Sequence, residues 1–286
     1  MPEMPEVQAH AERLTEEVAG LRLRRFTPLT FTALKTAQPR PEEAYGQPLL
    51  DVGRRGKYLL VRFEPVTFVV HLMQGGRLLV DTKQSAKPRG GQARFAFEPT
   101  NDRPSPPALL LTEQGTERRA GVWCVPSDGV LDRPPLDQLG PEAATIGADE
   151  LAARFAALPS TRLHGWLRDQ HCVAGIGRRL ANEVCHRAQL SPFAMTRKLG
   201  PDAAARIVDA IGDAIAEGLA EERERPDMSS SKDRPSRVHG RTGLPCPVCG
   251  DTVRAVEYSS YTVNYCPTCQ TGGKILADNV TSKFLK

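Results

Sequence analysis

Apolar residues near the start of the chain fall at Val7, Ala11 and Leu14. Three-and-four spacing puts them on one helical face, which predicts a short amphipathic helix over residues 1–18 after an extended start. From about 20 to 130 the period shortens. Brief apolar runs at Leu49–Val52, Tyr58–Phe63, Phe68–Leu72, Arg77–Val80, Phe95–Phe97 and Ala108–Leu111 are separated by Gly, Pro and Asp clusters. That texture predicts an antiparallel β-sandwich. Residues 83–106, rich in Pro, Gly and polar side chains, are expected to include a mobile loop, and 134–147 a Pro/Gly linker. The helical period returns at Ala148. It predicts helices over Ala148–Leu158, Thr161–His171, Arg178–Ala188 and Pro201–Glu224, with a tight Gly175-Ile176-Gly177 turn between the second and third. Residues 226–240 read as a flexible linker, and Thr252–Tyr265 alternates like a hairpin.

Composition narrows the class. The chain has 286 residues, 40% hydrophobic and 25% charged, as expected of a globular protein. No apolar run approaches the roughly 18 residues of a membrane span. The acidic start lacks the basic-then-apolar pattern of a secretory leader, so an intracellular location is expected. The net charge of +4 is uneven. From Lys232 onward eight Lys/Arg oppose four acids, so this segment carries all of it; between Ser160 and Gly200 seven Lys/Arg oppose two acids. Two basic stretches could line one groove for a phosphate backbone, or simply be solvated faces.

Four of the seven cysteines have metal spacing. Cys246-x2-Cys249 and Cys266-x2-Cys269 supply four thiolates for one tetrahedral zinc, with no position open for water, so the metal is structural. Cys124, Cys172 and Cys185 are scattered and read as small buried apolar residues. The helix after Gly175-Ile176-Gly177 begins with Arg178, where free N–H groups and close backbone approach favour an anion. At the other end, Pro2 beside Glu3 offers a secondary amine next to a carboxylate. An α-amino group titrates near pH 7.7–8, so part of it is neutral and nucleophilic at pH 7.

Several segments together resemble the formamidopyrimidine-DNA glycosylase and endonuclease VIII family of base-excision repair enzymes. They are Met1-Pro2-Glu3-Met4-Pro5-Glu6-Val7, Arg54-Arg55-Gly56-Lys57-Tyr58, His71-Leu72, Leu139-Gly140-Pro141-Glu142, Asp169-Gln170, Val173-Ala174-Gly175-Ile176-Gly177, Asn182-Glu183, and Val238-His239-Gly240-Arg241 running into Cys246–Gln270. The resemblance implies an α+β fold: an N-terminal catalytic β-sandwich over 1–134, a helix–two-turn–helix DNA-binding domain over 135–231 and a zinc finger over 232–286. It implies a bifunctional glycosylase and abasic-site lyase. Met1 would be removed, Pro2 would attack C1′, Glu3 would move protons at the sugar ring oxygen, Glu6 would support the site, and Lys57 would hold a phosphate. The expected partner is damaged DNA, bound by a monomer in the bacterial cytoplasm at the nucleoid.

The chain departs from that pattern in places. Arg178 stands where most members have a phosphate-gripping asparagine. Tyr261 stands where the finger hairpin usually carries an arginine, and Lys274 is a second candidate to compensate. The residue that would fill the gap left by a flipped base is Gln74 or Met73. The Arg-Arg-Phe-Gly element reads Arg118-Arg119-Ala120-Gly121, without its aromatic wedge, leaving Arg118 as the DNA-contact candidate there. Two other readings are a non-catalytic damaged-DNA-binding protein on this fold and a zinc-dependent nuclease, the latter disfavoured by the closed four-thiolate site.

Overall fold

The computed structural model describes residues 2–115, 117–228, 234–259 and 261–276. Met1, whose removal the resemblance implies, and the 229–233 part of the expected linker lie outside the described residues. The chain divides into two compact units, Met1–Gln138 with Glu222–Ser231, and Leu139–Glu221 with Lys232–Lys286.

The first unit opens with α1 (Met4–Val18), whose Val7, Ala11, Leu14 and Val18 are all buried in the core, as the spacing requires. Two four-stranded antiparallel sheets follow. One is ordered β1 (Leu23–Pro28), β6 (Gly91–Phe97), β7 (Ala108–Glu113), β5 (Gly76–Asp81); the other β2 (Asp51–Arg55), β3 (Tyr58–Arg62), β4 (Val66–His71), β8 (Gly121–Pro126). Phe26, Phe68 and Phe95 bridge the sheets, with ring centroids 4.9–5.2 Å apart. Part of the expected 83–106 loop is strand: β6 pairs Phe95 with Phe26 on one side and with Leu109 on the other. The stretch after Glu222 packs in this unit. Arg13 donates to the carbonyls of Glu222 and Arg225, Arg223 pairs with Glu12, and Met228 is buried in the core, so 226–228 is anchored rather than free.

The second unit contains α2 (Ala148–Ala157), α3 (Leu163–Arg168), α4 (Arg178–Arg187) and α5 (Pro201–Arg223), whose last two residues belong to the first unit. The finger hairpin β9 (Arg254–Glu257) and β10 (Thr262–Tyr265) and the short α6 (Pro267–Thr271) complete it. Helix α3 is shorter than the spacing predicts because Gln170 takes over the backbone. Its side-chain amide donates to the carbonyls of Arg168 and Ile176 and its oxygen accepts from Gly175 N–H. Gly175, at φ +104°, supplies the conformation that turn needs. Gly140 lies against the backbone of His171 and Cys172, where a Cβ would come within 2.6 Å, and Pro141 and Ala143 bond to Ala174. The 134–147 linker is therefore partly built into the loop between α3 and α4. No described helix is long and apolar enough to cross a membrane.

One buried histidine makes the first unit sensitive to acid. His10 Nε2 donates to the Leu78 carbonyl at 2.6 Å, while its Nδ1 is buried with no partner. Burial pulls its pKa down to about 4. Below pH 6.5 the unfolded chain binds a proton that the folded chain refuses. Stability is therefore complete above pH 6.5 and falls as pH drops toward 4. His10→Gln, which can still donate to Leu78, should remove about 2–3 kcal/mol of that loss at pH 4.5. Urea midpoints at pH 7 and 4.5 test this hypothesis; an equal fall in both proteins would refute it.

Candidate active site and metal centre

In the first unit the candidate catalytic residues gather at the start of α1. Glu3 is the N-cap in extended conformation, and Glu3 and Glu6 close a reciprocal capping box in which Glu3 N–H donates to Glu6 Oε2 at 3.0 Å. Pro2, Glu3 and Glu6 are all buried. The box fixes the backbone on which Pro2 rides, and Pro5 in the first turn costs no helix hydrogen bond.

The β2–β3 hairpin carries Lys57 toward the same end of the helix. Arg55 pairs with Tyr58, leaving a two-residue turn of Gly56 and Lys57. Gly56 has φ +56°, which a side chain would oppose. Helix and strand are strapped together at two points: Thr15 Oγ1 accepts from Val52 N–H (2.8 Å), and Arg54 donates to Gln8 Oε1 (3.1 Å) and to the Gly56 carbonyl. Moving toward the N-terminus of α1 thus runs toward the turn. Lys57 is 7% exposed, and its charge adds to burial in holding His71 neutral, with a pKa of about 4. His71 also lies against Tyr58, with ring centroids 4.5 Å apart and planes tilted by 40°.

The loop after β4 separates its two candidates. Met73 has φ +52°, packs against the core and has its sulfur beside His71 Nδ1; Gln74 is exposed. Position 120 is different in kind. Ala120 is buried, and Glu113 Oε2 accepts the N–H groups of Arg119 and Ala120, at 2.5 and 2.7 Å. Its side chain belongs to the core, while Arg118 remains exposed and donates to Gly115 O.

In the second unit Arg178 is the first residue of α4, after the extended N-cap Gly177. Asn182 and Glu183, one turn further on, anchor the segment entering the finger. Glu183 accepts N–H groups from Arg237, Val238 and His239 at 2.9–3.0 Å. Asn182 bonds to His239 and to Asn264 of β10, and Asn264 accepts from Gly240. Residues 234–240 are therefore held, not a linker. Sequence reasoning quoted Asn182-Glu183 only as part of a pattern and missed this role.

The four Sγ atoms of Cys246, Cys249, Cys266 and Cys269 lie within 4.8 Å of one another. Zinc at about 2.3 Å from each sulfur needs sulfurs about 3.8 Å apart, and the Cys246–Cys269 separation is 3.9 Å. The donor set thus fits one tetrahedral zinc. Asp251 ties the two knuckles by accepting from Thr268 Oγ1, and His186 Nε2 lies 3.3 Å from the Cys246 sulfur. The other three cysteines are buried, and burial pushes their thiols up, Cys124 to about 12 and Cys172 to about 11. They are buried packing residues, as their scatter in the sequence suggests. Lys274 follows α6, its N–H donating to the Thr271 carbonyl.

Comparison with known proteins bears on the fold and on the four cysteines. Residues 1–105 match the formamidopyrimidine-DNA glycosylase N-terminal domain, and 243–272 match the zinc finger found in FPG and IleRS. The four cysteines are thus the ligands of one structural zinc. Removing it with a chelator, or Cys266→Ser, should unfold the finger, since thiolate binding supplies about 10 kcal/mol or more to such modules; metal analysis and limited proteolysis read this, and a finger equally resistant without zinc would contradict it. An uncharacterized formamidopyrimidine-DNA glycosylase-like protein of Mycobacterium tuberculosis is 42% identical over 52% of this chain and 94% of its own length. The formamidopyrimidine-DNA glycosylase of Thermus thermophilus is 32% identical over 96% of this chain and 100% of its own. The crystal structure of the MutM (Fpg) protein from Thermus thermophilus superposes with a TM-score of 0.76 at 28% identity, covering 96% of this chain and 100% of that one. With near-complete coverage at that identity, the chain belongs to the formamidopyrimidine-DNA glycosylase family.

Proposed function

We propose that the chain is a DNA glycosylase of base-excision repair that removes damaged bases and also cleaves the strand at the resulting abasic site. The observation that carries this reading is the start of α1: a proline that becomes an N-terminal amine once Met1 is removed, fixed by the Glu3–Glu6 capping box, at the helix end toward which the Lys57 turn is strapped. In this reading the Pro2 nitrogen attacks C1′, the bond from C1′ to the base breaks, and the base leaves with a proton. Glu3 moves a proton at the ring oxygen, so the sugar opens and an iminium forms between Pro2 and C1′. The iminium acidifies C2′, whose proton loss expels the 3′ phosphate; a second elimination expels the 5′ phosphate, and water releases Pro2. Lys57 holds a phosphate beside the lesion, and Gln74, the exposed residue of its loop, fills the space the base vacates. Arg118, Arg178 and Lys274 contact the DNA backbone. The family relatives are bacterial, and the proposed enzyme works at the nucleoid, as a monomer.

Borohydride reduction of the iminium should trap a covalent adduct with abasic-site DNA. Pro2→Gly should lose most of that trapping; undiminished trapping, or Met1 retained in the purified protein, would count against Pro2. Glu3→Gln should slow base excision by about 100-fold or more while DNA binding persists. Parent and variant excising equally would remove Glu3 from the mechanism. No adduct and no excision from the parent, on a panel of oxidised purines, oxidised pyrimidines and abasic sites, would favour a binding-only protein.

Arg178 is expected to act through charge. It lies in the first turn of a ten-residue helix, whose dipole already favours an anion there. Arg178→Ala should weaken binding to lesion DNA by about 1–3 kcal/mol and flatten the salt dependence by about one phosphate. Identical salt slopes would shift that role to Lys274.

A further inference from the structure

The tip of the finger hairpin and helix α3 form a ladder of cations and rings. Tyr258 N–H donates to the Tyr261 carbonyl, closing the turn between β9 and β10. The two tyrosine rings stack at 4.6 Å with 10° between their planes. Arg168, the last residue of α3, sets its guanidinium carbon 4.3 Å from the Tyr261 ring centroid. Arg162, the N-cap of α3, lies over Phe193 and donates to the Tyr258 hydroxyl at 3.0 Å. His164 lies nearly parallel to Tyr261, and burial first, then Arg168, bring its pKa down to about 3.

The guanidinium of Arg168 is held without spending its donors. Among the described residues no carboxylate pairs with it, and its side chain makes no hydrogen bond. Its neighbouring acid is engaged elsewhere: Asp169 accepts from His171 N–H. A guanidinium held over a ring face is attracted by the ring without needing its N–H donors, which stay available for a two-bond grip on an anion. Loss of side-chain freedom, normally a cost of such a grip, has already been met by the stack.

We infer that Arg168, positioned by Tyr261, binds a backbone phosphate of DNA. This rests on the DNA-glycosylase reading above and adds a contact to it. The hairpin tip carries no cation of its own between Glu257 and Tyr265. The charge comes instead from α3, and the ring that orients it comes from the finger.

The test uses the full-length zinc-loaded protein and a duplex containing a tetrahydrofuran abasic analogue. Arg168→Leu is expected to weaken binding about tenfold and to lower the salt slope by about one phosphate. Arg168→Lys should recover little, because an ammonium keeps the charge but not the fork or the stack. Tyr261→Leu should weaken binding too, and the double variant should be no worse than Arg168→Leu alone. Moving the charge onto the hairpin, with Arg168→Leu plus Tyr261→Arg, should restore much of the affinity. Zinc content and thermal unfolding, equal to the parent's, show that the variants fold. If the parent binds and Arg168→Leu binds equally well with the same slope, the inference falls and the glycosylase reading stands. Additive losses in the double variant overturn the positioning role of Tyr261. A parent that fails to bind duplex DNA overturns both.

Discussion

A buried carboxylate holding successive backbone N–H groups is the constraint on which the second unit depends. Glu183 is 5% exposed and accepts from three consecutive residues, 237 to 239. Leaving a buried donor unpaired costs about 1–3 kcal/mol each, and more where a charge is involved. The chain therefore enters the finger in one conformation, fixed to α4, before any cysteine is reached. Zinc folds the finger; Glu183 and Asn182 decide where its first knuckle begins.

The first unit uses the same device twice. Glu6 receives the Glu3 N–H and so sets the path of the chain at Pro2. Glu113 receives the N–H groups of Arg119 and Ala120 and so shapes the loop from which Arg118 emerges. In all three cases an acid lies in a regular element and fixes the irregular segment that carries candidate chemistry. Rigid elements then govern loops, which is what a reaction at a defined atom requires.

This division explains what the sequence could show. Elements with strong period, such as α1, α4 and α5, and the runs of β3, β4 and β7, were legible because burial demands apolar residues at fixed intervals. Strand β1 was not: between its buried Leu23 and Phe26 stand two exposed arginines, and a β-bulge breaks its alternation. Strand β6 was hidden inside a polar-looking stretch because Gln92 is buried by bonding to backbone carbonyls. Strand β8 was missed although Val122, Cys124 and Val125 are buried in it, because polar residues 114–119 precede it and blur its start. The cysteine quartet and Pro2–Glu3 could be found from spacing and residue type. The anchoring of 234–240 by Asn182 and Glu183 and the Arg168–Tyr261 contact could not, since each joins residues more than 50 apart in sequence whose pairing only the fold creates.

Charge at the candidate DNA contacts is protected by burial as well. In each unit a largely buried histidine adjoins a candidate phosphate-binding cation: His71 beside Lys57, and His164 beside Arg168. Burial keeps the first neutral above about pH 4 and the second above about pH 3, so neither adds charge across the physiological range. Each ring packs against a tyrosine adjoining that cation, His71 tilted on Tyr58 and His164 nearly parallel to Tyr261. A neutral imidazole can thus serve as packing where a protonated one would repel the cation next to it. Neither imidazole therefore changes the field at its neighbouring cation as pH moves through the ordinary histidine range.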